Sequence, residues 1–141
     1  MTFSPEFLRA KTATEDFLTQ GEVYLGGGNT DYWIALFNTS MNKPCVIADA
    51  EELVVAKQFR NSFLATKVSF FNQINDLCER LDLDYEQVRQ VVTADERIGS
   101  SHSEVTDERG FGGHCFPKDT EALVYSSCLL YTSPSPRDGL L

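Results

Sequence analysis

The run from Ala50 to Leu83, "AEELVVAKQFRNSFLATKVSFFNQINDLCERLDL", holds no glycine and no proline. Nothing in it stops a helix. Leu53, Ala56, Phe59 or Phe63, Val68, Phe71, Ile74, Leu77, Cys78 and Leu81 recur at three- and four-residue steps. That periodicity predicts one long amphipathic helix over residues 50–81. About 30 helical residues span roughly 45 Å. Such a helix is long for a chain of 141 residues, and its apolar face needs more partners than this chain supplies. It suits a link between domains or an interface between subunits.

The residues before it alternate in type. "SPEFLRAKTATEDFL" offers Ser4 as a cap, Pro5 at a first helical position and Glu6 in a first turn, which predicts a helix. "EVYLGGG" reads as a strand ended by glycines, "TDYWIALFNTSM" as a helix opening near Thr30, and "KPCVIADA" as a short buried strand. This α–β–α–β order points to part of a parallel sheet. After the long run, "DYEQVRQVVTAD" is a shorter helix capped by Asp84, "ERIGSSHSEVTDERGFGG" a polar loop, and "PKDTEALVYSS" a helix opening near Pro117. The tail "LLYTSPSPRDGLL" cannot continue a helix past Pro134. It resembles a translated sequencing adapter, and no function is assigned to it. The expected divisions are 1–49, 50–127 and a disordered tail over 128–141.

Composition narrows the function. Hydrophobic residues make up 42% of the chain, enough for a core, and the net charge is −9. An acidic surface argues against coating nucleic acid or binding an anionic membrane. No apolar run approaches the ~20 residues of a membrane span. The N-terminus lacks the basic-then-apolar order of a secretion signal, so a cytoplasmic location is expected. Cys45, Cys78, Cys115 and Cys128 are widely spaced and form no C-x-x-C pair. They read as free thiols, and with His102 and His114 they supply no clustered metal site.

"GFGGHCFPKD", Gly110 to Asp119, carries the chemistry. Its glycines let backbone amides approach a ligand closely. Cys115 lies just ahead of the helix expected at Pro117, where the dipole favours a thiolate. Lys118 adds a positive neighbour and Asp119 a carboxylate. Two readings stay open on these residues alone: a glycine turn with an idle cysteine, or a loop presenting a nucleophile. Lys57 and Asn61, at i and i+4 of the long helix, are by themselves an ordinary polar face.

Together "SPEFLRA", "AKQFRNSFLATKVSFFNQINDLC", "RIG" and "GFGGHCFPKD" occur in the order and approximate spacing of the UDP-glucose/GDP-mannose dehydrogenases. The chain resembles that family from Phe3 to about Ser127, and its cysteine motif is most similar to the UDP-glucose 6-dehydrogenase branch. The resemblance implies the end of a Rossmann-like parallel-sheet domain followed by a mainly helical central domain that dimerises through residues 50–81. It implies NAD-dependent oxidation of a sugar C6 alcohol to a carboxylate, with UDP-glucose as the expected nucleotide sugar. In it, Cys115 matches the nucleophile, Glu6 the glutamate that helps activate water, Lys57 and Asn61 the oxyanion pair, and Asp119 a carboxylate moving protons through water. Phe7, Leu8, Arg97, Gly110, Phe111, Gly112, Gly113 and Phe116 fall at substrate positions, with Arg97 reaching the neighbouring subunit's substrate. Lys118 falls at the cofactor.

Two departures accompany the resemblance. Ala10 stands where the family often has a second glutamate, and no G-x-G-x-x-G occurs; "GGGN" at Gly26–Asn29 has the wrong spacing. The chain is therefore expected to be a middle segment without a complete cofactor site. Other readings are a dehydrogenase of the same family acting on GDP-mannose or a UDP-N-acetylhexosamine, and a non-catalytic helical interaction module.

Overall fold

A computed structural model describes residues 1–9, 12–107, 109–113 and 115–131, without the side chains of 129–131. The chain forms two compact units that divide between Lys57 and Gln58, inside one helix.

The first unit holds a three-stranded sheet in the order β1-β2-β3. β1 (Thr2–Phe3) pairs antiparallel with β2 (Val23–Gly27), and β2 pairs in parallel with β3 (Cys45–Ile47). The parallel pair expected from the alternating pattern is present. α1 (Ala13–Thr19) precedes β2, and α2 (Thr30–Met41) forms the crossover to β3. α2 has the bounds expected from the sequence. Asn29 and Asn42 flank it in left-handed conformations, and the Asn42 and Lys43 amides bond back to Asn38 and Phe37. These are the residue type and the bonds of a helix end closed on its own carbonyls.

Two local expectations need correction. Residues 4–9 are not helical, although Ser4, Pro5 and Glu6 form a start signal. Strand pairing wins there: Thr2 and Phe3 join the sheet edge, Pro5 is buried, and the Phe7 ring meets Tyr24 edge-on at 5.6 Å. α1 begins only at Ala13, and the Asp16 carboxylate in its first turn accepts from the Arg9 amide and guanidinium. Second, β3 is not buried; Val46 and Ile47 are exposed. Gly26 and Gly27, at the end of β2, serve the protein's own packing. A Cβ at Gly26 would stand 2.8 Å from the Ala48 carbonyl oxygen, and one at Gly27 2.7 Å from that of Met1.

The core of this unit is Val23, Leu25 and Leu53. Lys43 is also buried, with its Nζ donating to the Leu18 and Gln20 carbonyls at 2.9 and 2.6 Å. A cation here meets the carbonyl end of α1, where the helix dipole favours positive charge.

α3 (Ala50–Arg80, 31 residues) is the long helix expected from the uninterrupted run. In the second unit it is joined by α4 (Tyr85–Thr93), α5 (Cys115–Tyr131) and the loop between them. The Asp84 side chain caps α4, accepting from the Glu86 and Gln87 amides. α5 runs into the segment read as a tail; residues 132–141 lie outside the described residues.

The single apolar stripe expected on α3 is in fact two. Ala65, Phe71 and Cys78 are buried, with Asn75 among them. Phe59, Phe63, Phe70 and Leu77 are exposed. At 100° per residue the two sets lie roughly 140° apart round the helix. Among the described residues, no helix is long and apolar enough to cross a membrane.

Acid should loosen the second unit through Glu86. The Arg89 guanidinium, aided by Gln90, lowers its carboxyl to about 2 from an ordinary 4.5. The folded value is the depressed one. Its contribution is therefore complete above about pH 4.5 and is lost as pH falls towards about 2. Urea midpoints measured from pH 6 down to 2.5 should fall more steeply for the wild type than for Glu86→Gln. Parallel curves would contradict this.

Candidate active site

α5 begins at Cys115, two residues earlier than the expected opening at Pro117. Proline is tolerated in a first turn because the first amides of a helix have no partner within it. The turn before it needs glycine for its backbone: Gly112 has φ +36° and Gly113 +73°. At Gly113 an added Cβ would meet nothing within 4 Å, so the demand is conformational and not one of space. The Cys115 thiol is exposed at the head of the helix.

Asp119 follows one turn later, on the same face as Cys115. It is only 5% exposed. The Asn61 amide of α3 donates to its Oδ2 at 2.5 Å, and Lys118 Nζ stands 3.0 Å from its Oδ1. A buried carboxylate needs such donors, since an unpaired charge is expensive to bury. The Asn61 side chain, read from sequence as part of a polar face, is half-buried and turned to this task. Phe116 packs its ring against His102, while Gly110 and Phe111 lie in the loop before the thiol.

Arg97 sits in a tight turn and is well exposed, with its guanidinium on Asp95. That carboxylate raises the Arg97 pKa further, and Arg97 lowers the Asp95 pKa. The turn is tied to α3 by Lys67, whose Nζ donates to the Ile98 and Gly99 carbonyls at 2.7 and 2.9 Å. Burial lowers the Lys67 pKa. Further on, Arg109 pairs with Asp76 and with Glu79, the latter at 2.7 Å, and its carbonyl accepts from Asn72.

The second unit thus brings Cys115, Asp119, Asn61 and Lys118 together, and holds Arg97 and the glycine loop on α3. Glu6, Phe7, Leu8 and Lys57 belong to the first unit. There Glu6 is exposed, while Phe7, Leu8 and Lys57 are half-buried. Lys57 stands one turn before Asn61 in sequence along α3. Ala10 and His114 lie outside the described residues. Lys67, Arg109 and Ser103 were missed in the sequence. The partners of Lys67 are backbone carbonyls 31 and 32 residues away, which no side-chain pattern announces.

Asn61→Ala should leave the buried Asp119 carboxylate with one donor fewer. The expected loss is about 1–3 kcal/mol of stability. Asn61→Asp, which sets a second carboxylate there, should lose more. Urea unfolding measures both, and a neutral Asn61→Ala would show that the contact contributes nothing.

Proteins of known kind are similar to this chain. The chain is 31% identical to the UDP-glucose 6-dehydrogenase AglM of Haloferax volcanii, over 99% of this chain and 35% of that protein. It is 38% identical to the UDP-glucose 6-dehydrogenase of Rickettsia prowazekii, over 85% and 28% respectively. It therefore spans about a third or less of the length of these relatives. Among solved structures, a UDP-glucose dehydrogenase of Pyrobaculum islandicum superposes with a TM-score of 0.78 at 34% identity, over 92% of this chain and 30% of that one. A GDP-mannose dehydrogenase of Pseudomonas aeruginosa gives 0.59 at 26%, with the same coverage. Residues 50–133, which carry the long helix, the anchored arginine turn and the thiol at the head of α5, match the central domain of the UDP-glucose/GDP-mannose dehydrogenase family, and the chain belongs to that family.

Proposed function

We propose that this chain is the thiol-bearing segment of an NAD-dependent UDP-glucose 6-dehydrogenase. The observation that carries the reading is Cys115 at the head of α5 with Asp119 one turn on, its carboxylate held by Asn61. UDP-glucose is favoured over GDP-mannose by the better superposition on the UDP-glucose enzyme.

The chemistry assigned to these residues is acyl transfer on sulfur. Once C6 is an aldehyde, the Cys115 thiolate adds to its carbonyl carbon, forming a C–S bond and an alkoxide. Asn61 and Lys57 are the donors for that oxygen. Loss of a hydride from the resulting thiohemiacetal carbon leaves a thioester. Water then adds, activated by Glu6 with Asp119 moving the proton, and expulsion of the thiolate yields the carboxylate. Phe7, Leu8, Arg97, the Gly110–Gly113 backbone and Phe116 contact the nucleotide sugar in this reading.

Two hydrides leave C6 in all, and NAD is the acceptor the family resemblance implies. The described residues do not build a dinucleotide cradle. Gly26 and Gly27, which end β2, stand against the chain's own backbone, and Lys118, the cofactor candidate, pairs with Asp119. The isolated chain is therefore not expected to turn over.

In the full-length enzyme, Cys115→Ser should abolish carboxylate formation from UDP-glucose, and loss of Asn61 or Lys57 should lower the rate roughly 10²–10³-fold. NADH absorbance reads both. Full activity of Cys115→Ser would overturn the mechanism, clear turnover by the 141-residue chain would overturn the segment reading, and a preference for GDP-mannose or an N-acetylated sugar would reassign the substrate.

The exposed stripe on α3 is assigned to a second copy of the chain. Phe63 is 68% exposed, Phe70 53% and Leu77 50%. Their seven-residue spacing keeps them in one line along the helix. Sedimentation should give a dimer that Phe63→Asp with Phe70→Asp converts to monomer. A wild-type monomer at high concentration would remove this assignment.

A further inference from the structure

We propose that His102 is a positioning residue for Cys115, acting through the ring of Phe116. The inference rests on Cys115 being the nucleophile. The His102 and Phe116 ring centroids are 5.6 Å apart with the planes inclined at 40°. Such offset contact between aromatic rings is favourable beyond simple burial. Phe116 directly follows the thiol residue in the first turn of α5. The seat of its ring therefore sets the direction in which the helix starts, and with it where the sulfur stands.

His102 has little freedom of its own. Its neighbour Ser103 is fully buried, and the Ser103 carbonyl accepts from Tyr85 Oη at 2.6 Å. The Ser103 hydroxyl accepts from Arg89 Nη1 at 3.1 Å and donates to the Ser100 carbonyl at 2.7 Å. Lys67 fixes Ile98 and Gly99 just upstream. His102 itself takes φ +60°, a left-handed conformation that few non-glycine residues tolerate and in which histidine is enriched. The position thus makes two demands: a left-handed backbone and a ring. Asparagine meets the first alone. Phenylalanine meets the second, under backbone strain.

Iodoacetamide labelling of the chain at neutral pH, followed for each cysteine by mass spectrometry, separates these demands. Cys128, exposed on the same helix, is the internal reference, and buried Cys78 reports unfolding. Because Cys115 is exposed, access does not limit its rate, which instead reads the thiol's place at the helix start. Cys115 should label ahead of Cys128 in the wild type. His102→Asn should lower the Cys115-to-Cys128 rate ratio roughly two- to fivefold, the range expected for losing a first-turn placement. His102→Phe should keep the ratio while lowering the Tm. A wild-type ratio in His102→Asn, or a fall in His102→Phe as large as in His102→Asn, overturns the proposal. Should His102→Asn expose Cys78, Phe116→Leu takes its place: a lowered ratio supports the proposal and an unchanged one overturns it. A wild-type Cys115 no faster than Cys128 sinks the nucleophile reading along with it, whereas a fast Cys115 indifferent to residue 102 sinks this inference alone.

Discussion

The second unit depends on polar side chains of α3 that reach out and hold other segments by their backbone or by a charge. Asn61 holds Asp119, Lys67 holds the Ile98 and Gly99 carbonyls, and Asn72, Asp76 and Glu79 hold Arg109. From Asn61 to Glu79 these anchors cover about 27 Å of helix. No strand lies among the described residues of this unit, so no ladder of sheet bonds fixes the loop between α4 and α5. Its order comes from a rigid rail and a few directed donors. Directed bonds fix position as well as proximity, which is what the proposed roles of Cys115 and Arg97 require.

Much of this was legible in the sequence. The absence of breakers gave α3, and the helix start at Thr30 and the cap at Asp84 follow from local chemistry that tertiary contacts did not oppose. The thiol motif was legible because glycine, cysteine and acid lie close together in sequence. What failed did so for identifiable reasons. The start signal at Ser4 and Pro5 is real chemistry, but Thr2 and Phe3 found a sheet edge to pair with. The Asn61–Asp119 bond joins residues 58 apart, and no local pattern carries that information.

Splitting the apolar residues of α3 into two sets also lay beyond simple periodicity. Phe70 and Phe71 are consecutive, touch edge-on at 5.5 Å, and yet one is exposed and the other buried. A count of three- and four-residue steps accepts either ring. Only the anchors decide which side of the helix faces the α4–α5 loop, and they became visible with the structure.

The same arrangement limits how this helix can change length over evolution. One inserted residue between Asn61 and Glu79 would turn everything beyond it by about 100°, carrying both sets off their faces. A seven-residue insertion would restore the faces to within about 20° but slide the later anchors by about 10 Å along the axis. Arg109 and the turn at Ile98 would then lose their partners. Surface loops absorb added residues readily; this stretch of α3 is closed to them in both rotation and reach, and substitution is the one form of variation left to it.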